Sequence, residues 1–345
     1  MTKLLEIREL IRNFYGKYES FITPALKFLL ALVTFLVINS KLGFMEKFAK
    51  FPIALILALL CSFLPMNFLV VAAAVMCLLH VYALSLEAAA VLGILFVIMF
   101  LLYFRFSPKD AVVAVMLPLA FAFKVPCSVT LAAGLLGGPG TAVSVGCGVI
   151  AYYALQFVAG LSVSEGGGLQ IKEMATKFKS IADGMISNKA MMVAVVAFVV
   201  AMLAVYFIRR MNIDHAWAIA MIVGALLNVL ILFVGDLVLT TQVPVFGTII
   251  GTIFGLLIAV VIQFFVFNLD YKRTERVQFE DDEYYYFVKA VPKVNLATAD
   301  KKVKKVRTSG NGAAPVKAAR RNPEPGKEGR PEGRSEGRPE NRSGK

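Results

Sequence analysis

The sequence predicts an all-α fold: a polytopic bundle of eight to ten transmembrane helices followed by a disordered tail. Of the 345 residues, 58% are hydrophobic and only 17% are charged, and the mean hydropathy is +0.73. A soluble domain with an ordinary polar surface does not have this composition. Apolar runs close to the roughly 20 residues that a spanning helix needs occur at 66–84, 86–104, 139–161, 190–208, 216–234 and 245–268. None of these runs alternates apolar and polar residues as barrel strands do.

The beginning of the chain predicts a helix that lies on the membrane surface. Apolar and aromatic residues recur there at helical spacing, at Leu4, Ile7, Leu10, Ile11, Phe14, Tyr15 and Tyr18. Basic and acidic residues are interleaved with them, which is typical of an interfacial amphipathic helix and not of a signal peptide. We therefore divide the chain into this interfacial helix at 1–20, a transmembrane bundle at 21–268, a short cytoplasmic segment at 269–298 and a basic tail at 299–345.

Two short segments bounded by prolines interrupt the series of spans. Residues 50–65 read KFPIALILALLCSFLP and residues 124–139 read KVPCSVTLAAGLLGGP, so each has K-x-P, twelve residues and a second proline. They form a candidate internal repeat, with chance similarity between short apolar pieces as the alternative. The helix from Pro126 to Gly138 rises only about 20 Å, against about 30 Å of hydrocarbon. If both segments cross, there are ten spans; if both are re-entrant from opposite faces, there are eight. Charge favours crossing and segment length favours re-entry.

A helix that breaks inside a membrane points to a cavity. The break leaves backbone groups without partners, which is tolerated only where it is buried in protein or lines a wet space. Short, interrupted segments at corresponding positions are also typical of transporter substrate sites. The predicted substrate-binding residues are Lys124, Pro126, Gly137, Gly138 and Pro65.

Polar residues within the spans are the second group of candidates, because each is unfavourable in lipid and tends to face the bundle interior. They are Glu87, Lys124, Gln156, Asn228 and Gln263. Lys124 is the strongest of them, since it adjoins the break at Pro126. By contrast, Gly247, Gly251 and Gly255 lie four residues apart on one helix face, a spacing that predicts helix packing.

The sequence does not predict an enzyme. The two histidines, His80 and His215, have no recognisable nucleophile and orienting group beside them, and no phosphate-binding or dinucleotide fingerprint occurs. The four cysteines lie singly in apolar runs, without a CxxC pair or a Cys/His cluster. We therefore expect no metal and no cofactor, and an ATP-driven version of the protein would need a separate ATPase subunit.

Charge places both termini in the cytoplasm. From Tyr271 onward the chain has 19 Lys/Arg and 11 Asp/Glu, and Arg209 and Arg210 lie two spans earlier, so the positive-inside rule assigns these parts to the cytoplasmic face of a plasma membrane. Residues 162–189 then lie outside and are predicted to contain an amphipathic helix. The basic tail predicts binding to anionic lipid head groups. Nucleic acid is not an expected partner, because the tail has no aromatic or fold support for it.

The segment EDDEYYYFVKAVPKV at 280–294 combines acids, tyrosines and a short β-prone run. This segment, with FPIALILALLCSFLP, YALSLE and LLYFRFSPKD, resembles permease-like polytopic membrane proteins of clostridial Gram-positive bacteria. The resemblance covers roughly residues 20–295 and implies a membrane location, but no residue roles. Two functions stay open: a transporter or permease component for a small solute, alone or with other membrane subunits, and a non-catalytic anchor or scaffold that presents the basic tail.

Overall fold

A computed structural model of the protein describes residues 2–161, 171–241, 244–266, 275–280 and 284–290. Within these ranges the chain forms eleven α-helices and two β-strands. The helices are α1 (Thr2–Lys41), α2 (Phe51–Phe63), α3 (Met66–Leu84), α4 (Leu86–Phe106), α5 (Ala111–Ala122), α6 (Pro126–Leu136), α7 (Thr141–Ala159), α8 (Ile171–Ile186), α9 (Lys189–Arg209), α10 (Ala216–Leu239) and α11 (Val245–Val266). The predicted tail at 299–345 lies outside the described residues.

The predicted all-α membrane bundle is confirmed. Seven helices are long and apolar enough to cross a membrane: α1, α3, α4, α7, α9, α10 and α11. The helices α2, α5 and α6 are apolar but shorter, and α8 is the amphipathic helix expected within 162–189. The chain is a multi-pass membrane protein.

The first helix combines the predicted surface helix with the first span. Its backbone leaves helical geometry at Tyr18 (φ −117°, ψ 22°), where the helix kinks. Before the kink, Ile7, Leu10 and Phe14 are exposed, as expected of an apolar face that rests on lipid.

The second helix runs antiparallel to α1 and joins two ends of the bundle. At one end the Asn39 side-chain amide donates to the Ala49 carbonyl (3.3 Å), and at the other the Ser62 hydroxyl donates to the Pro24 carbonyl (2.8 Å). We call these the Asn39 end and the Pro24 end. Of the two alternatives left open by the sequence, this arrangement agrees with the one in which the segment joins both ends. Both caps of α2, Lys50 and Leu64, are extended, so the 13-residue helix and its caps together reach about 26 Å.

The next two helices continue the alternation between the ends. His80, near the last turn of α3, is hydrogen-bonded to Asn39 (3.0 Å). Tyr103, near the last turn of α4, donates to the Asn67 side chain at the start of α3 (2.7 Å). Thus α3 ends at the Asn39 end and α4 returns to the Pro24 end.

The helices α5 and α6 form a hairpin with both open ends at the Pro24 end. Thr141, the first residue of α7, donates to the Asp110 carboxylate just before α5 (2.7 Å). The chain reverses at residues 123–125, where the Val125 amide donates to the Ala120 carbonyl (2.8 Å). Limbs of 12 and 11 residues rise only about 16–18 Å. The second proline-bounded segment is thus the returning limb of a re-entrant hairpin, and it is not equivalent to the first.

The remaining helices complete the bundle. Gly184 of α8 packs against Phe157 in the last turn of α7, which places α8 at the Asn39 end. The last residue of α9, Arg209, bonds the carbonyl of Gly137 at the Pro24 end. In the described part of the chain, eight helices therefore join the two ends: α1, α2, α3, α4, α7, α9, α10 and α11.

A two-stranded antiparallel sheet follows the bundle. The strand β1 (Glu275–Glu280) pairs with β2 (Tyr285–Ala290), with Val277 opposite Val288. The β-prone run in the acidic, tyrosine-rich segment is thus a strand. Apart from the two strands and Tyr284, the residues of 269–298 lie outside the described ranges.

His80 ties the loop after α1 to the core. It is fully buried, its Nδ1 accepts from the Met45 amide (3.2 Å), and its Nε2 faces the Asn39 side-chain oxygen. We predict that His80→Leu leaves both partners unpaired and lowers the free energy of unfolding by about 1–3 kcal/mol. Thermal unfolding of the purified protein in detergent measures the loss. Tyr82→Phe, at an exposed position of the same helix, should unfold like the wild type; equal unfolding temperatures for all three proteins would contradict the prediction.

Candidate functional site

A cavity of about 570 Å³ lies between the tip of the α5–α6 hairpin and the helices α7, α9, α10 and α11. Its wall includes Asn188, at the start of α9, and Thr241 and Pro244, between α10 and α11. These residues lie at the Asn39 end, so the cavity reaches that end of the bundle. Residues Lys124, Pro126 and Cys127 of the hairpin tip line it from the other side and form its floor.

The sequence of the tip explains why the chain can reverse there. Lys124 adopts a left-handed backbone conformation (φ 62°), which turns the chain between the two limbs. Pro126 follows in the first turn of α6, where its fixed φ suits a helix start and its missing amide hydrogen is not needed. A left-handed residue other than glycine costs about 1–2 kcal/mol. The tip therefore contains a strained, cationic residue directly at the cavity.

The glycine face of α11 brings two backbones into contact. A β-carbon at Gly251 would overlap the Lys124 carbonyl oxygen, and one at Gly255 would lie 2.8 Å from the Ser128 amide nitrogen. Gly247 lies one turn earlier and lines the cavity. The absence of side chains at Gly251 and Gly255 thus lets α11 cover the tip of the hairpin.

Three of the five polar residues noted within the spans, Lys124, Gln156 and Asn228, line this one cavity. Asn228 is only 1% exposed, and within the part of the chain that the structure describes its side-chain nitrogen has no hydrogen-bond partner. Lys124 is the only charged residue among the described residues of the wall. The cavity therefore combines one cation with an unsatisfied, deeply buried amide.

The other two polar residues lie elsewhere. Glu87 accepts a hydrogen bond from Ser85 (2.7 Å) at the start of α4. Gln263 is in the last turn of α11, near Phe264, whose carbonyl accepts from Arg8 (3.2 Å). Neither is among the described residues of the cavity wall.

The structure divides the predicted substrate-binding residues between two places. Lys124 and Pro126 line the cavity. Gly137 and Gly138 follow α6 at the Pro24 end, where the Gly138 amide donates to Thr141 (3.1 Å). Pro65 precedes α3 at the same end. The described wall of the cavity contains none of these last three residues.

The base of the hairpin is held by polar side chains that the sequence did not single out as a cluster. Asp110 accepts from Thr141 and from Ser107 (3.2 Å). Arg209 donates to the carbonyls of Leu135 and Gly137, which end α6. In the sequence, Arg209 marked only a cytoplasmic loop. Two sequence features together could have indicated this contact: a helix that ends at Gly-Gly-Pro, and an arginine at the end of another span on the same side of the membrane.

A second cavity, of about 270 Å³, lies among α1, α3, α4, α5 and α7. Its wall is mostly apolar. Tyr152 and Gln156 line both cavities, and the Tyr152 ring stacks on Phe121 near the hairpin tip (centroids 4.6 Å apart). These two residues of α7 therefore form the partition between an apolar and a more polar space.

Among the described residues, no group of three or more His, Cys, Asp or Glu side chains is placed to hold a metal ion. The four cysteines are buried and unpaired thiols. The chemical capacity of the site is that of a binding cavity with a cation, amide and hydroxyl groups in its wall.

The contact between α11 and the hairpin tip gives a matched test. We predict that Gly251→Ala lowers the free energy of unfolding by about 1–3 kcal/mol, because the new β-carbon overlaps the Lys124 carbonyl. At Gly247 a β-carbon meets only Pro244, 3.8 Å away, so Gly247→Ala should leave stability unchanged. Thermal unfolding in detergent compares the two variants. Similar losses in both would show that α11 does not rest on the tip.

The base of the hairpin gives a second matched test. Arg209→Gln removes both donors from the end of α6 and should cost about 1–3 kcal/mol of stability. It should also speed amide hydrogen exchange in the last turn of α6. Arg210→Gln is the control, since Arg210 bonds the Tyr206 hydroxyl instead. Unchanged exchange in Arg209→Gln would contradict the assigned role.

Comparisons with known proteins do not place the chain in a family. No family model matches it, and neither the curated proteins nor the solved structures compared with it gave a match. The function is therefore inferred from the bundle and its cavity.

Proposed function

We propose that the protein is a transporter or permease component that moves a small solute across a cell membrane. The observation that carries this proposal is the re-entrant hairpin, which enters from the Pro24 end, reverses at Lys124 and forms the floor of a cavity that reaches the Asn39 end. Backbone that turns inside a bilayer is tolerated where it is buried or lines a wet cavity. Interrupted helices of this kind are typical of transporter binding sites.

The size and position of the cavity support a solute. Its volume of about 570 Å³ lies within the range of about 300–1,000 Å³ found for small-molecule sites. Between the cavity and the Pro24 end lies the body of the hairpin. A solute that crosses must pass this hairpin, so the hairpin is the gate in our proposal.

The distribution of arginine supports a cytoplasmic Pro24 end. Every arginine within the described helices lies there, namely Arg8, Arg12, Arg105 and Arg209, and so does Arg210, which directly follows α9. The chain also leaves α11 at this end, and 19 Lys/Arg follow Asp270. Seven lysines lie at the Asn39 end and reduce the difference in charge between the two ends: Lys41, Lys47, Lys50, Lys172, Lys177, Lys179 and Lys189. On balance, the positive-inside rule orients the cavity toward the outside of the cell.

A second function draws on the tail. Residues 301–321 contain eight basic residues and no acid, a composition that attracts anionic lipid head groups. A membrane anchor that presents this tail would need neither a cavity nor a gate. The two functions therefore make different demands on the cavity. In a transporter the cavity opens to both sides of the membrane, whereas an anchor does not require this.

Cysteine labelling separates them. In a protein whose four native cysteines are replaced, a Thr248→Cys thiol lies in the cavity wall and a Lys109→Cys thiol lies on an exposed loop at the Pro24 end. A membrane-impermeant maleimide is added to right-side-out and to inside-out vesicles. We expect Thr248→Cys to react quickly from the outside and more slowly from the inside, as the gate opens. Lys109→Cys is the orientation control and should react only from the inside.

Two results would contradict the proposal. Reaction of Thr248→Cys from the outside alone means that the cavity never opens to the Pro24 end, and it favours the anchor. Reaction of Lys109→Cys from the outside means that the bundle has the opposite orientation, and the cavity then faces the cytoplasm.

A further inference from the structure

We infer that the cavity takes an anionic solute, an oxyanion of the carboxylate or phosphate class. The inference rests on the proposed function and names its substrate class. Three features of the hairpin tip and the wall around it point to negative charge: the cation of Lys124, the start of α6, and the amide of Asn228.

The charge of the wall is the first feature. Lys124 is exposed, and among the described residues of the wall it is the only charged one. Near the mouth, the Asp236 carboxylate accepts a hydrogen bond from Thr241 of the wall (2.8 Å). A cationic solute would thus meet a lysine without a wall carboxylate to balance it. An anion gains from the same lysine, and more so where protein excludes water.

The direction of α6 is the second feature. This helix has 11 residues and begins at Pro126, and both Pro126 and Cys127 line the cavity floor. In this turn Pro126 has no amide hydrogen and the Ser128 amide donates to the Val125 carbonyl (3.2 Å), so the helix acts on the cavity through its dipole, which places positive partial charge at this end. Because Lys124 lies two residues before this turn, the cation and the dipole act on the same part of the cavity.

Asn228 is the third feature and independent of the other two, since it lies on α10. The residue is among those that line the cavity, is 1% exposed, and has a side-chain nitrogen without a hydrogen-bond partner among the described residues. A buried amide donor that stays unpaired is destabilising. An oxygen acceptor on the solute would satisfy it.

The remaining polar groups of the wall differ in what they offer a solute. Thr248 and Thr252 donate their hydroxyl protons to the carbonyls of Pro244 and Thr248 in their own helix. The side-chain oxygen of Asn188, another residue of the wall, accepts from the Met191 amide, so the group that it can still offer is its NH₂ donor. A solute with several negative oxygens matches the lysine and these amide donors better than a polyol or an amine does.

The full-length Thr248→Cys protein, without its native cysteines and reconstituted in vesicles, provides the test. The rate of maleimide labelling is measured with inorganic phosphate, succinate, inositol or choline at constant ionic strength. We expect phosphate or succinate to slow labelling in a saturable manner, and inositol and choline to have no effect. The two anions distinguish a phosphate from a carboxylate site.

Two variants assign the effect to the proposed residues. Lys124→Gln should weaken protection by the anion at least about tenfold, and Asn228→Asp, which keeps the size of the side chain but adds negative charge, should abolish it. Lys109→Gln, at the opposite end of the bundle, should leave protection unchanged. Asn228→Leu removes the amide donor without adding charge, so comparing it with Asn228→Asp separates the effect of the lost donor from the effect of the added charge.

A second measurement does not depend on a ligand. Anionic and cationic methanethiosulfonate reagents of similar size react with the same Thr248→Cys thiol, and the ratio of their rates reports the potential in the cavity. Lys124→Gln should lower the ratio of anionic to cationic rates about threefold or more. An unchanged ratio would overturn the inference.

The outcomes distinguish the two proposals. Protection by choline or inositol and not by the anions would overturn the anionic class while leaving a solute site in place. No protection by any probe, with labelling from one side of the membrane only, would remove both the solute class and the proposed function.

Discussion

A backbone that reverses at Lys124, between apolar helices, presents amide and carbonyl groups that lipid cannot hydrogen-bond. The bundle meets this constraint by covering the reversal. The Val125 amide is paired with the Ala120 carbonyl, and α11 packs its glycine face directly on the tip, with Gly251 against the Lys124 carbonyl. The placement of α11, and with it the cavity between the tip and the neighbouring helices, follows from this requirement.

The two ends of the hairpin are held by different forces. At the base, Asp110 and Arg209 make hydrogen bonds to Thr141 and to the last carbonyls of α6, and such charge-assisted bonds resist separation in a low-dielectric setting. At the tip, contact with α11 depends on close packing of glycines, which has no comparable directional bond. The base of the hairpin is thus held by directional bonds and its tip by close packing.

The two proline-bounded segments show how the same length can serve two structures. Both α2 and α6 are apolar helices of 11–13 residues. α2 has extended caps and finds hydrogen-bond partners at both ends of α1, at Asn39 and Pro24, so it joins the two ends of the bundle. α6 follows a left-handed residue that turns the chain back along α5, so it returns to the end from which α5 began.

The sequence by itself determined the membrane bundle, the amphipathic helices and the strand after the last span, because composition, run length and local periodicity are properties of short segments. It also identified Lys124, Gln156 and Asn228 as costly in lipid, which is a property of the side chain alone. Only the tertiary structure decided that these three meet in one cavity and that just one short segment is re-entrant. Those outcomes depend on contacts between residues far apart in the chain, such as Ser62 with Pro24 and Thr141 with Asp110, which no local pattern encodes.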